Sequence, residues 1–200
     1  MSAAAPRRRS FLRRLGVVVA LTLAVGLVTL AAAMFLISRA DGPLFVFAGG
    51  PLRAGDPVAF GDMEWDRLDE LRELEMEIVG VASSRTLWFN VHEGIPYVGC
   101  DLDCVGGRLT RWPQQIEEDD RVVIRIDAKR VDGRLVHVPH GSDEYEAAKA
   151  SRIAKYWGDA GDRAGAETAA HTTVVVVGES LTGRSRRDEP GDRLYRVAPR

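Results

Sequence analysis

The chain has 200 residues, with 29 acidic against 27 basic side chains, a net charge of −2 and 46% hydrophobic residues. Every acidic residue follows Arg39, so the part beyond the N-terminal segment is net acidic, which argues against nucleic-acid binding and adhesion to anionic lipid. Without the N-terminal segment, the length suffices for one domain with its own core and is short for two.

The N-terminal segment has the pattern of a membrane anchor. Five arginines, the last of them Arg14, precede an uncharged run of 23 residues from Leu15 to Ile37. At about 1.5 Å per residue this run is long enough to cross a hydrocarbon core about 30 Å thick. Because basic residues stay preferentially inside, we expect a cytoplasmic segment at 1–14, a transmembrane helix at 15–37 and an extracytoplasmic remainder.

Two alternatives concern export. A cleaved signal peptide would end at small residues such as Ala31-Ala32-Ala33, although its apolar region is usually shorter than this run. The stretch Arg8-Arg9-Ser10-Phe11-Leu12-Arg13 is similar to the twin-arginine motif, which implies export of a folded domain, whereas a long apolar segment suits the ordinary secretory route. The sequence predicts a single-pass cell-membrane protein and leaves the export route open.

Residues 38–64 are rich in glycine and proline, and we expect them to form an extended linker that lifts the domain off the membrane. Trp65, Leu68 and Leu71 follow at helical spacing and predict one or two helical turns. The strands expected next are Glu73–Ile78, Leu87–His92 and Ile95–Cys100, the last two joined by a tight turn at Glu93-Gly94.

The second half of the chain predicts a short helix at Arg111–Glu118 and a longer one capped by Ser142. Acidic residues in the first turn and basic residues in the last turn of the longer helix match its dipole. Its shared apolar face is Ala147, Ala150, Ala154 and Trp157. The expected strands are Val122–Asp127, Lys129–Val138, Thr172–Val177 and Leu194–Val197, with Asp132-Gly133 as an alternative turn or bulge.

These elements predict a mainly β (α+β) domain at residues 65–200, preceded by one transmembrane helix. Six or seven strands form a small, mainly antiparallel sheet that closes towards a barrel, with two or three short helices. Residues 158–171 are expected to be a flexible insertion.

Cys100 and Cys104 are the two cysteines of the chain. In an oxidising compartment two nearby thiols are usually joined, so we expect a disulfide if their Cα atoms come within reach. A redox or copper pair is the alternative, because thiolates bind soft metals, with His137 and His140 as further ligands. The sequence shows no calcium loop, nucleophile elbow, Walker loop or HExxH helix, so it assigns no catalytic residue, and we predict no metal site.

Arginines cluster near the predicted hairpin. Arg85-Thr86 opens the strand that carries Trp88 and Phe89, and Gly106-Gly107-Arg108-Leu109-Thr110-Arg111-Trp112 follows the cysteine loop. Guanidinium groups and hydroxyls suit a phosphate, and aromatic rings suit an isoalloxazine. The alternative is that the tryptophans belong to the core and the arginines are solvated.

The order of these parts resembles the flavin-binding split-barrel superfamily, which includes the pyridoxamine 5′-phosphate oxidases and the deazaflavin-dependent reductases. The residues that carry the resemblance are Arg85-Thr86-Leu87-Trp88-Phe89, the hairpin His92–Val98, Arg111-Trp112-Pro113 and Asp119–Asp127. Lys155-Tyr156 and Leu194–Val197 are similar to the end of membrane-tethered members. The resemblance covers Trp65 to Trp157 and the final strand.

The resemblance implies a split barrel that holds FMN or a deazaflavin, and a homodimer with the cofactor between subunits. The cofactor-binding residues that it implies are Arg85, Thr86, Arg108, Thr110 and Arg111. We therefore expect a membrane-anchored flavin-type oxidoreductase that acts on an unidentified small molecule. A non-catalytic module that binds a small ligand or a membrane complex is the alternative, and a thiol- or copper-handling protein is a weaker one.

Overall fold

The computed structural model describes residues 6–44, 47–100, 111–157 and 193–200, with side chains from Arg14 onward. In this part of the chain the helices are α1 Pro6–Ile37, α2 Trp65–Leu68, α3 Trp112–Glu118 and α4 Asp143–Trp157. The strands are β1 Asp56–Pro57, β2 Glu73–Ile78, β3 Ser83–His92, β4 Ile95–Cys100, β5 Arg121–Ile126, β6 Lys129–Val138 and β7 Arg193–Pro199. Short 3-10 turns lie at Phe60–Asp62 and Val79–Val81.

Helix α1 contains the apolar segment. Its stretch Arg14–Ile37 has 24 residues, a mean hydropathy of 2.5 and no residue buried against the rest of the protein. It is long and apolar enough to span a membrane. The helix begins at Pro6, so the basic segment continues the apolar run as helix.

Strands β2 to β7 close into an antiparallel barrel in the order β2-β3-β4-β7-β6-β5, with β5 returning to β2. Strand β1 adds a two-residue parallel pairing to β6. The structure is therefore the mainly β, small split barrel with short helices and an N-terminal apolar helix that the sequence predicts.

Alternation along the strands builds the core, because successive side chains point to opposite faces of a sheet. The inward residues Met76, Ile78, Val122 and Ile124 are completely buried. Helix α2 contacts β3 and β4 at one end of the barrel, and α3 contacts β2 and the Val79–Val81 turn at the other. The helix residues buried in this core are Trp65, Leu68, Trp112 and Ile116.

Two tight turns join neighbouring strands. Glu93 and Gly94 have φ values of 51° and 74°, so the expected turn between β3 and β4 is confirmed. The turn between β5 and β6 lies at Asp127 and Ala128, with φ values of 50° and 57°. The alternative turn or bulge at Asp132-Gly133 was wrong, because both residues pair in register with β5 inside a continuous β6.

Helix α4 begins where predicted, but the face that it packs against the barrel differs from the predicted one. The Ser142 hydroxyl accepts a hydrogen bond from the backbone N–H of Tyr145 at 3.2 Å, which confirms the N-cap. The predicted apolar face was wrong, since Ala150 and Ala154 are exposed. The buried side chains of the helix are Tyr145, Ala148, Arg152 and Tyr156. The tyrosines bury more apolar area than alanines do, and they determine which face packs on β3.

The segment after α1 lies against the barrel rather than standing clear of it. Arg125 forms ion pairs with Asp41, at 3.0 Å, and with Glu75. The buried Glu77 carboxylate accepts a hydrogen bond from the backbone N–H of Leu52 at 2.8 Å. Gly49 and Ser84 exchange backbone hydrogen bonds at 2.9 and 3.0 Å. We call residues 41 and 49–54, together with these partners, the clasp.

The predicted insertion 158–171 and the predicted strand Thr172–Val177 lie outside the described residues.

Candidate functional site

Helix α3 closes one end of the barrel, and one predicted cofactor residue, Arg85, lies near that end. Strand β3 starts there, and β4 ends there, because the two strands are antiparallel. The Trp112 ring of α3 packs on the Tyr195 ring of β7 with centroids 5.1 Å apart. This aromatic contact seals the core beneath the helix and gives the site a rigid floor.

Arg85 occupies an inward position of β3 near this end. It pairs in register with Met76, and it shares a face with Leu87 and Phe89, which belong to or pack on the core. The side chain is half-buried, and its Nε atom is buried without a hydrogen-bond partner among the described residues. Burial lowers the pKa of the guanidinium. An anionic group placed beside Arg85 would favour its charged form.

Acceptor atoms on α3 are unsatisfied as well. The side-chain oxygens of Gln114 and Gln115 are buried without hydrogen-bond partners. Each of these oxygens could accept a hydrogen bond from a ligand's donor group. Sequence reasoning did not identify the glutamines, since a polar residue beside Ile116 on a short helix has no distinguishing pattern.

The other predicted cofactor residues do not share the inward face on which Arg85 lies, or they lie outside the described residues. Thr86 follows Arg85 and therefore faces outward, opposite Glu75 in the register. Arg111 is exposed at the N-terminal end of α3, and its carbonyl accepts the hydrogen bond from the Gln115 N–H at 3.1 Å. Arg108 and Thr110 lie outside the described residues.

A cleft of about 510 Å³ opens beside α3 on the β6–β7 side of the same end. Arg193 donates to Glu117 across it at 2.8 Å, and the ring of His137 meets that of Tyr195 at 5.5 Å. The residues that line it are Ile116, Glu117, Leu135, His137, Val138, His140, Arg193 and Tyr195. The lining combines apolar side chains with charged and aromatic ones, which could contact both parts of a small organic ligand.

The sequence contained a signal for this cleft that the prediction did not use. The alternation Leu194-Tyr195-Arg196-Val197 places Arg193 and Tyr195 on one face of the final strand, and β7 pairs with both β4 and β6. The pairing of distant strands, rather than local pattern, brings these residues to α3.

A second cluster holds α4 on β3. The rings of Trp88 and Tyr156 stack at 5.0 Å, and Lys155 pairs with Asp69 at 2.9 Å. The Tyr156 hydroxyl accepts a hydrogen bond from the Phe89 N–H at 3.1 Å. Burial raises the pKa of Tyr156 to about 12 and lowers that of Lys155, which Asp69 partly offsets. These contacts fully occupy Tyr156, so the cluster positions α4.

The structure describes only one of the two residues on which the predicted thiol or copper chemistry depends. Cys100 is disulfide-bonded and packs in the core, and its expected partner Cys104 lies outside the described residues. Among the side chains that the structure describes, no group of three histidine, cysteine or acidic residues is placed to hold a metal ion. A disulfide sulfur is not the thiolate that soft metals bind.

Comparison with known proteins was made on sequence and on structure. No family model and no curated protein matches the chain. A protein of unknown function from Agrobacterium tumefaciens aligns at 20% identity and a TM-score of 0.41, over 68% of this chain and 51% of its own. The chain therefore spans about half the length of that protein.

Two further solved structures align over more of their length. A conserved hypothetical protein from Mycobacterium tuberculosis has 13% identity and a TM-score of 0.43, over 74% of this chain and 84% of its own. A pyridoxamine 5′-phosphate oxidase-related, FMN-binding protein from Nostoc punctiforme has 16% identity and a TM-score of 0.34, over 64% and 70%.

Proposed function

We propose that the chain is a membrane-anchored split-barrel protein that binds a phosphorylated flavin-type cofactor, FMN or a deazaflavin, at the α3 end of the barrel. The observation that carries this proposal is Arg85, whose half-buried guanidinium has an Nε atom without a hydrogen-bond partner among the described residues. A phosphate accepts charge-assisted hydrogen bonds from a guanidinium, and those bonds are stronger than neutral ones.

The residues of this end fit such a cofactor. Arg85 would hold the phosphate, and Gln114 and Gln115 would accept hydrogen bonds from donor groups of the ligand. The Trp112–Tyr195 contact excludes water from beneath the site. When bound, a flavin supplies hydride and electron transfer, for which the protein supplies binding and orientation. Arg108, Thr110, Arg111 and Thr86 remain proposed cofactor contacts on the resemblance.

The anchoring and placement of the barrel are part of the proposal. Helix α1 would span the membrane once, with its arginines in the cytoplasm and the barrel outside. A homodimer with the cofactor between subunits, and a disulfide between Cys100 and Cys104, are also proposed. An oxidising compartment suits the bonded state of Cys100.

The cleft favours a second candidate function. A non-catalytic module would bind a small organic ligand between α3 and β7, with Tyr195 and His137 as its walls. Such a protein would be colourless and would bind its ligand independently of Arg85.

The experiment that separates the two functions is a comparison of FMN with riboflavin on the full chain in detergent. If the phosphate contacts Arg85, FMN binds at least about tenfold more tightly than riboflavin, because a charge-assisted hydrogen bond contributes about 1.5–3 kcal/mol. Equal affinities would show that the phosphate is not recognised.

A further inference from the structure

Two apolar side chains form an exposed tip directly after α1. Leu44 and Phe47 are 46% and 45% exposed. Their backbones exchange hydrogen bonds at 3.1 and 3.0 Å, which closes a tight turn. We call these two residues the apolar tip. Single exposed apolar residues are ordinary on a protein surface, but two that are paired through their backbones form a patch that favours an apolar partner.

The segment that carries the apolar tip is joined at its base to the residues that follow the apolar helix. The Gly50 N–H donates to the carbonyl of Ala40 at 3.0 Å, and Asp41 bridges to Gly50. Ala40 is three residues beyond the end of α1, and the apolar tip begins seven residues beyond it, at Leu44. The guanidinium of Arg39 lies 4.8 Å from the centre of the Phe35 ring. Aromatic and arginine side chains at a helix end are typical of the boundary between acyl chains and headgroups.

The opposite side of this segment is polar and faces the barrel. The Asp41 carboxylate accepts hydrogen bonds from the backbone N–H groups of Arg53 and Ala54 at 2.7 and 2.9 Å, and it pairs with Arg125. A Cβ atom at Gly49 would lie 1.7 Å from the carbonyl oxygen of Gly42. The chain segments before and after the turn are thus in close contact, and the tip keeps a defined position on the barrel.

We propose that the apolar tip inserts into the interface of the same bilayer that α1 crosses. This inference rests on the proposed membrane span of α1. The occupant is lipid rather than a second copy of the chain, because the tip begins within seven residues of the end of an apolar helix and its base is hydrogen-bonded to Ala40, next to the boundary at Arg39. Helix α1 and the apolar tip would then contact the bilayer at two points, which fixes the orientation of the barrel over the membrane. The clasp would couple this orientation to β2 and β5.

The test uses the full chain reconstituted into phosphatidylcholine vesicles whose acyl chains are brominated near the headgroup. Phe47→Trp places a fluorophore at the tip, and Ile153→Trp is the matched control at an exposed position on α4, with 47% exposure. Emission of the unsubstituted chain is subtracted. Insertion by about 5–10 Å predicts that the emission added at position 47 is quenched at least twofold more than that added at position 153. Leu44→Trp replaces Phe47→Trp if the latter does not fold.

Extraction of the same vesicles with alkaline carbonate identifies which claim fails. Protein that stays in the membrane, with equal quenching at positions 47 and 153, overturns the tip insertion alone. Protein that is released by carbonate overturns the span and the tip insertion together. Quenching at position 47 that stays at the level of the control, with emission that shifts to shorter wavelength as the ratio of chain to lipid is raised, would show that a second copy covers the tip, which also contradicts the proposal.

Discussion

At the residue scale, Arg85 is the predicted cofactor residue whose Nε atom is buried without a hydrogen-bond partner among the described residues. Its place near the start of a strand and next to a hydroxyl made it a candidate from pattern alone. Its inward direction follows from strand alternation, which the sequence also shows. The burial of its Nε atom could not be predicted, because it depends on how the strands close into the barrel.

Arg85→Met should separate binding from stability. Methionine has a similar reach and no charge, so the free energy of unfolding rises by about 1 kcal/mol while FMN affinity falls. Urea unfolding of the cofactor-free chain measures the first effect. Arg134→Met, at an exposed position of β6, is the control that leaves both unchanged. A clear loss of stability in Arg85→Met would mean that the guanidinium has a structural partner.

Two buried tyrosines give the fold an alkaline limit. The pKa of Tyr97 is raised to about 12 by burial and by Glu144, and that of Tyr156 is raised to about 12 by burial. A raised pKa means that the folded state holds the proton more tightly than the unfolded state. The stabilisation is therefore complete below about pH 10 and is lost as pH rises towards 12.

We expect the free energy of unfolding to fall between about pH 10 and pH 12, and to fall less steeply in Tyr156→Phe. Urea unfolding at a series of pH values, with tyrosinate absorbance as the second readout, checks this. The variant also loses about 1–3 kcal/mol at neutral pH, since the Phe89 N–H loses its acceptor. Identical slopes in the two proteins would be incompatible with a buried Tyr156 hydroxyl.

At the element scale, local signals predicted the helices and strands well. Alternation gave β2 with its observed bounds, and Ser142 gave the start of α4. The predicted face of α4 was wrong because it followed the spacing of the alanines. Tyr145 and Tyr156 bury more apolar area than alanines do, and they determine the face that packs on the barrel. The clasp was not predicted, because Asp41 and Arg125 are 84 positions apart and glycine- and proline-rich sequence alone indicates only a linker.

Arg125→Met should open the clasp without opening the barrel. The substitution leaves the carboxylates of Asp41 and Glu75 unpaired, so amide hydrogen exchange at residues 49–54 accelerates while exchange in β5 stays slow. Arg121→Met, which removes an exposed pair with Asp119, is the matched control. Unchanged exchange at 49–54 would show that the backbone hydrogen bonds hold this segment without the ion pairs.

At the scale of the whole molecule, the closed barrel explains why a chain with few catalytic signals in its sequence has a candidate site. Strands β3 and β7 are far apart in sequence, and closure through β4 brings Arg85 and the β7 cleft to the end that α3 covers. The barrel itself was predictable from the number of strands and the resemblance. The cleft was not, since it depends on which residues β6, β7 and α3 present to one another.

The most direct test of the account is the affinity of FMN and riboflavin for the full chain and for its Arg85→Met variant, measured by flavin fluorescence. We predict that the unsubstituted chain binds FMN at least about tenfold more tightly than riboflavin. The variant is expected to bind both flavins with the affinity that the unsubstituted chain has for riboflavin. Equal binding of the two flavins by the unsubstituted chain, or an FMN affinity unchanged by the substitution, would contradict a phosphate site at Arg85.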